Sequence, residues 1–236
     1  MNSDRKRYEE AVIRDNLFHQ RLSDIRNNTL TDDHLNAMAE LNRPASRSGF
    51  GQVEPVASQT TYLTEADVER IAFFDDVAPV YNFRYLMRKL DREMKRSKRY
   101  NRPLSICIVG FPSLGLIRMN YGELAFDNIL VTVGEQLLMS TRLDVDMVGR
   151  YGDDRFILVL PETPGNGAAV VGERITRKFQ TELIKYQWHE LAVNACMGIS
   201  YFPGHGTEAQ ELVAKADLAC DIANDRGGKG FCFCPE

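Results

Sequence analysis

No run of about 18 apolar residues occurs in the 236-residue chain, so no membrane-crossing helix is expected. The start, Met1-Asn2-Ser3-Asp4-Arg5-Lys6-Arg7, has no apolar stretch behind it that would serve as a signal peptide. An excess of one charge is also missing: 29 Lys+Arg stand against 33 Asp+Glu, a formal net charge of −4. Nucleic acid selects proteins through clustered cations, so no nucleic-acid partner is expected. Cysteine is sparse. Cys107, Cys196, Cys220, Cys232 and Cys234 are odd in number and lack the dense spacing of a disulfide scaffold, which points to a reducing compartment. Cys232-Phe233-Cys234 offers two sulfurs, but a zinc site needs about four ligands and no CxxC or paired His supplies the rest, so no metal site is expected. These absences together read as a cytoplasmic protein.

What the chain does contain is 44% hydrophobic and 26% charged residues, enough for one ordinary domain with extra length. Tyr8, Val12, Ile13, Leu17, Phe18, Leu22 and Ile25 make a thin helical stripe, and Thr31 with Asp32 and Asp33 suits the start of a second short helix. Residues 43–61 are rich in Pro, Gly and Ser and lack periodicity, as a linker should. The reading is a flexible arm and linker over 1–62 and a folded domain over 63–236. The arm is either disordered or a partner-binding segment that orders on docking.

From Thr64 the apolar pattern becomes dense. A short helix is expected over Glu65 to Phe73, and a longer one after Asn82, where Phe83, Leu86, Met87, Leu90 and Met94 fall three or four apart. Its other face is basic across residues 84–102, which makes it a second candidate surface for a protein partner of opposite charge. Leu104 to Val109 reads as a buried strand, Leu124 to Leu138 as a helix, and Met147–Tyr151 with Phe156–Leu160 as a hairpin around a two-residue Gly152-Asp153 turn. A helix over Ala168–Leu183, a strand over Val193–Tyr201, a helix over Leu212–Ala223 closed by Gly227-Gly228, and a last strand over Lys229–Cys234 complete the order. That order is α+β, a sheet with helices on its faces.

The hairpin residues Arg150-Tyr-Gly-Asp-Asp-Arg-Phe156, followed by a Phe-Ile-Leu-Val-Leu-Pro strand, resemble the signature of the GGDEF family of diguanylate cyclases. Asp75-Asp-Val-Ala-Pro-Val-Tyr-Asn82 is similar to the family's DxLTGLxN entry, and Tyr121, Gly122 and Asp127 to its YGHxxGD. Cys196-Met-Gly-Ile-Ser200 and Ala216-Asp-Leu-Ala219 with Ala223 and Gly227 resemble its later strand and last helix. The likeness spans about residues 73–234. It implies a cyclase-like palm, a mostly antiparallel five-stranded sheet flanked by helices, and an activity that joins two GTP molecules into cyclic di-GMP with divalent metals held by carboxylates.

Against that pattern the chain departs repeatedly. The strand-end Asp that holds metal aligns with Gly110, the next metal-associated position with Pro112, the signature's second Gly with Asp153 and its Glu with Arg155. Gly152 and Asp154 match. The guanine-reading Asn aligns with Arg118, although the guanine-reading Asp survives as Asp127, and the phosphate-binding Lys aligns with Asn224. Asp153 sets a negative charge where phosphates would lie, and Arg155 sets a cation where a carboxylate helps hold metal. Asp127, Gly152, Asp153, Asp154 and Arg155 are therefore expected to be a remnant substrate site without catalytic or metal-binding residues.

Many family members also bind cyclic di-GMP through RxxD just before the signature: Arg pairs with guanine O6 and N7, and Asp accepts from N1 and N2. Asp146 stands at the matching distance, but the Arg position is Leu143, with Arg142 one residue too early. Arg174 matches an additional Arg found in some family sites. Asp146, Arg174 and Arg142 are the expected cyclic di-GMP contacts, the dinucleotide acting as regulatory ligand and no cofactor being needed. The expected function is a catalytically inactive cyclic di-GMP receptor acting through a protein partner, docked by residues 1–60 or by the basic helix. The alternatives are a ligand-independent scaffold and an active cyclase with atypical metal ligands. Homodimerisation is left open.

Overall fold

The computed structural model describes residues 70–235. The arm and linker over 1–62, and the first residues of the helix expected from Glu65, lie outside the described residues. Residues 70–73 end that helix. Asn82 then starts α1 (Phe83–Tyr100): its side-chain carbonyl accepts from the Tyr85 N–H at 2.9 Å, while its amide donates to the Ala72 and Phe74 carbonyls. Leu86, Leu90 and Met94 form the buried stripe of α1. Asn101, at φ 49°, stops the helix in the left-handed conformation that its short polar side chain tolerates.

β1 (Leu104–Gly110) is buried along its whole length. It pairs antiparallel with β3 (Arg155–Pro161) on one side and with β6 (Cys196–Phe202) on the other. β2 (Met147–Arg150) flanks β3 antiparallel, and β7 (Gly230–Phe233) flanks β6 parallel, giving the order β2-β3-β1-β6-β7. This is the mostly antiparallel five-stranded sheet that the family resemblance implied. Alternate strand residues such as Cys107, Val109, Phe156 and Leu158 pack on α3 (Glu123–Met139) and α4 (Gly165–Thr181). α1 and α5 (Ala209–Asp225) cover the opposite face. Gly198 lets α5 approach β6: a Cβ there would stand 2.0 Å from the Ala216 carbonyl oxygen and 2.1 Å from the Cys220 nitrogen. No helix among the described residues is long and apolar enough to cross a membrane.

Several expectations need correction. The hairpin turn is wider than Gly152-Asp153, because the Tyr151 and Gly152 N–H groups both donate to the Arg155 carbonyl and the Phe111 N–H takes the Asp154 carbonyl at 2.9 Å. The turn is thereby drawn toward the end of β1. A helix not anticipated, α2 (Leu114–Tyr121), precedes α3; only Leu114 and Ile117 are buried on it, too few to show a period. α4 ends at Thr181 rather than Leu183, since Leu183 opens β4 (Leu183–Tyr186), which pairs with β5 (His189–Ala192) in a separate ribbon. β6 starts at Cys196 rather than Val193, and α5 at Ala209 rather than Leu212.

Candidate functional site

The β2–β3 turn sits against α5, and the residue that joins them is Arg155. Its Nη1 donates to Asp217 Oδ1 at 2.5 Å and its Nη2 to Asp221 Oδ1 at 2.6 Å. Asp217 and Asp221 are four apart on α5, so one helix face presents both carboxylates. Burial pulls the Arg155 guanidinium down, but its hydrogen bonds to Asp221 and Asp217 outweigh this and hold it above its ordinary value. Tyr151 joins the same cluster, donating to Asp217 Oδ2 at 3.1 Å. Burial, then the Asp217 charge and hydrogen bond, push the Tyr151 hydroxyl up to about 12.

The rest of the turn is also internally paired. Arg118 on α2 lies 3.8 Å from the Phe126 ring centroid, reaches Glu123 at 2.9 Å and stands 3.8 Å from Asp153, whose side chain is 89% exposed. Arg150 donates to the Asp153 carbonyl and stacks over Phe156. Asp127, half-buried on α3 one residue beyond Phe126, makes no hydrogen bond or ion pair among the described residues. Gly152, Asp153, Asp154 and Arg155 share the turn, and Arg118 links Asp153 to Glu123 and Phe126 at the start of α3; no hydrogen bond or ion pair joins Asp127 to the turn among the described residues.

A divalent metal of the kind the resemblance implies does not fit these side chains. Gly110 and Pro112 offer no carboxylate, and the space beside Gly110 is walled by sulfur: a Cβ at 110 would meet Cys196 Sγ and Cys220 Sγ, each at 3.1 Å. The Arg155 guanidinium lies 4.0 Å from Asp154 and already neutralises Asp217 and Asp221, so the carboxylates nearby are bound to an internal cation. No group of three His, Cys, Asp or Glu side chains suited to a metal ion occurs among the described residues.

The second candidate set lies in the α3–β2 connection. Arg142 Nη2 donates to Asp146 Oδ1 at 2.7 Å, and the Arg142 backbone N–H donates to Asp146 Oδ2, also at 2.7 Å. The same Nη2 reaches the Pro161 carbonyl and Thr163 Oγ1, at 2.9 and 2.8 Å. The Asp146 side chain is only 2% exposed, whereas that of Arg142 is 50% exposed. Arg174 on α4 donates to the Ser140 carbonyl at the end of α3, so all three expected ligand contacts meet this connection. It is Arg142 that closes on Asp146, while Leu143 faces solvent; Asp144, at φ 62°, turns the backbone between them.

Glu162, between the two residues that Arg142 touches, is held by Arg102 at 2.7 Å and Arg96 at 3.5 Å. The basic face of α1 is therefore divided. Arg96 and Lys98 are paired with Glu93, Glu162 and Glu208, but Arg84, Arg88, Arg92 and Lys95 are exposed and pair with no acidic side chain among the described residues. Sequence reasoning missed Asp217 and Asp221; their four-residue spacing on one helix face was the available signal. It also missed the roles of Pro161, Glu162 and Thr163, which no local pattern marks.

The family model described as "Diguanylate cyclase, GGDEF domain" matches residues 72–230. Diguanylate cyclase DosC of Escherichia coli K12 is 32% identical over 154 residues, covering 65% of this chain and 33% of that protein. The chain spans a quarter to a third of the length of the curated relatives it matches first. Among solved structures, the GGDEF domain of Pseudomonas aeruginosa YfiN (TpbB) aligns with a TM-score of 0.65 at 21% identity, over 69% of this chain and 94% of that one. The GGDEF domain of Caulobacter crescentus DgcB, solved in complex with cyclic di-GMP, aligns with a TM-score of 0.64 at 15% identity, over 69% and 96%.

Proposed function

The chain belongs to the GGDEF family of diguanylate cyclases, and within that family of signalling proteins we propose that it is a member without cyclase activity that serves as a cyclic di-GMP receptor. The observation that carries the first half is the clamp of Arg155 between Asp217 and Asp221. Phosphoryl transfer to a 3′-hydroxyl relies on metal-held charge stabilisation. Here the carboxylates that could contribute are neutralised by a fixed guanidinium, and Gly110 is closed off by two thiols.

Support for the receptor half is the meeting of Arg142, Asp146 and Arg174 in one connection, on a fold shared with a cyclic di-GMP complex. Guanine would insert between the paired side chains, its N1 and N2 hydrogens donating to Asp146 and its O6 and N7 accepting from a guanidinium. Arg142 would then leave the Pro161 carbonyl and Thr163 Oγ1. Glu162 lies between these residues and holds Arg96 and Arg102, so occupancy is passed toward the basic face of α1. An anionic surface of a protein partner is the complement of Arg84, Arg88, Arg92 and Lys95. Residues 1–60 are the alternative docking segment.

A ligand-independent scaffold is the competing reading, favoured by one observation: both Asp146 oxygens already accept hydrogen bonds from Arg142. Isothermal titration calorimetry with cyclic di-GMP separates the two. The receptor reading expects saturable heat at micromolar ligand, lost in Asp146→Ala and weakened in Arg174→Ala; no heat at tens of micromolar establishes the scaffold. Incubation with GTP and Mg²⁺ or Mn²⁺, read by chromatography, is expected to yield no cyclic di-GMP, and product formation would overturn the non-catalytic assignment.

A further inference from the structure

The two sulfurs that wall Gly110 form a site of their own. Cys196 opens β6 and Cys220 lies on α5, pressed onto the sheet by the close approach at Gly198. Their Sγ atoms are 3.9 Å apart, and both residues are buried. Gly110 puts no side chain between or beside them, because a Cβ there would be 3.1 Å from each Sγ. A disulfide bond is about 2.0 Å long, so the two sulfurs have about 1.9 Å to close before they bond. Cys107 and Cys234 are also buried, and neither makes a hydrogen bond to another thiol among the described residues.

The environment also distinguishes the two sulfurs. A hydrogen bond from Cys220 holds the Cys196 thiol below its ordinary value against the opposing effect of burial, and the Arg155 charge adds to the lowering. That same hydrogen bond, together with burial, pushes Cys220 up. Cys196 is thereby the more readily ionised sulfur of the pair, the one suited to attack first, with Cys220 beside it to resolve. Burial further restricts the oxidant to a small one, so a hydroperoxide fits and a peptide disulfide such as oxidised glutathione does not.

We propose that Cys196 and Cys220 are an oxidisable thiol pair that hydroperoxides convert to a disulfide joining β6 to α5. The Cys196 thiolate sulfur attacks one peroxide oxygen, the O–O bond breaks, and the departing hydroxide takes up a proton to become water. Cys196 is then a sulfenic acid. Cys220 sulfur attacks the Cys196 sulfur, the S–O bond breaks, and the leaving hydroxide departs as water with the proton Cys220 gives up. With hydrogen peroxide, two thiols are oxidised by two electrons and the peroxide is reduced to two waters. Because α5 also carries Asp217 and Asp221, the bond fastens the helix that holds the signature turn through Arg155.

Tryptic mapping of the full chain tests this directly. Cleavage after Lys185, Lys215 and Arg226 puts the two cysteines on separate peptides, 186–215 and 216–226. After hydrogen peroxide, denaturation and alkylation, a linked pair lighter by two hydrogens than the sum is expected. It should disappear with dithiothreitol, be absent in Cys196→Ser and in Cys220→Ala, and persist in Cys107→Ser. Oxidised glutathione at equal concentration should leave the peptides separate. Peptides that stay separate and alkylated after peroxide, a Cys196 sulfinic acid without the link, or a link formed equally well in urea-unfolded chain would each overturn the proposal.

Discussion

Arg155 and Arg142 each close on carboxylates, but by different routes. Arg155 reaches Asp217 and Asp221 across 62 and 66 residues, joining the β2–β3 turn to α5. Arg142 closes on Asp146 four residues on, inside a single connection, and half of its side chain stays in water. The long-range clamp is part of the tertiary structure, because releasing it frees the turn from the helix. The local pair touches the sheet only at the end of β3, through the Pro161 carbonyl, and beyond it at Thr163 Oγ1. A site that must exchange an internal partner for a ligand is better built on the second kind, which is the ground for the proposal that a ligand binds at Asp146 rather than at Arg155.

Three substitutions test that contrast. Arg155→Glu, which restores the family's residue type, removes the two close ion pairs to Asp217 and Asp221 and the longer one to Asp154, and sets a fourth carboxylate beside those three. The expected loss is about 2–3 kcal/mol by urea unfolding, below that of a fully buried pair because Arg155 is partly exposed, with no cyclase activity gained. A stability unchanged within error would mean that the clamp holds nothing. Arg142→Ala is expected to cost less, about 1–2 kcal/mol, since Asp146 stays buried but keeps the backbone N–H of residue 142. A loss exceeding that of Arg155→Glu would reverse the assignment of structural and exchangeable pairs.

The smallest effect is a pH dependence. Tyr151 has its hydroxyl pushed up to about 12 in the folded chain, so the protonated form is favoured by folding. Its contribution is fully present below the ordinary tyrosine value near 10 and is lost as pH rises from there toward 12, where the unfolded chain binds fewer protons than the folded one. Thermal melts between pH 9 and 12 should fall more steeply for the unsubstituted chain than for Tyr151→Phe. Parallel slopes would remove Tyr151 from the Arg155 cluster.

Most regular elements of the domain are legible in the sequence. The three- and four-residue spacing of Leu86, Leu90 and Met94 under an Asn82 cap marked α1, and the β-branched run after Leu104 marked β1. α2 was not legible because eight residues with two buried positions display no period, and β4–β5 because four-residue strands with few buried side chains resemble a loop. At the turn, local reading placed two residues where four were needed, since the bond from Phe111 to Asp154 comes from a strand more than forty positions earlier.

The residue substitutions that set this chain apart, Gly110, Pro112, Asp153 and Arg155, are properties of the sequence, as is the near-balance of charge that hides them. Side-chain charge and size are written in the chain, and so is the periodicity that makes helices and strands. What stands opposite each of those residues was settled by the sheet register and by the seat of α5 on β6 at Gly198. That packing turned Arg155 from an apparent obstacle to metal binding into a clamp on Asp217 and Asp221, brought Arg142 rather than Leu143 to Asp146, and set two distant cysteines side by side. Spacing along the chain acts over one or two turns of backbone, whereas such pairings depend on elements that meet only when the core is closed.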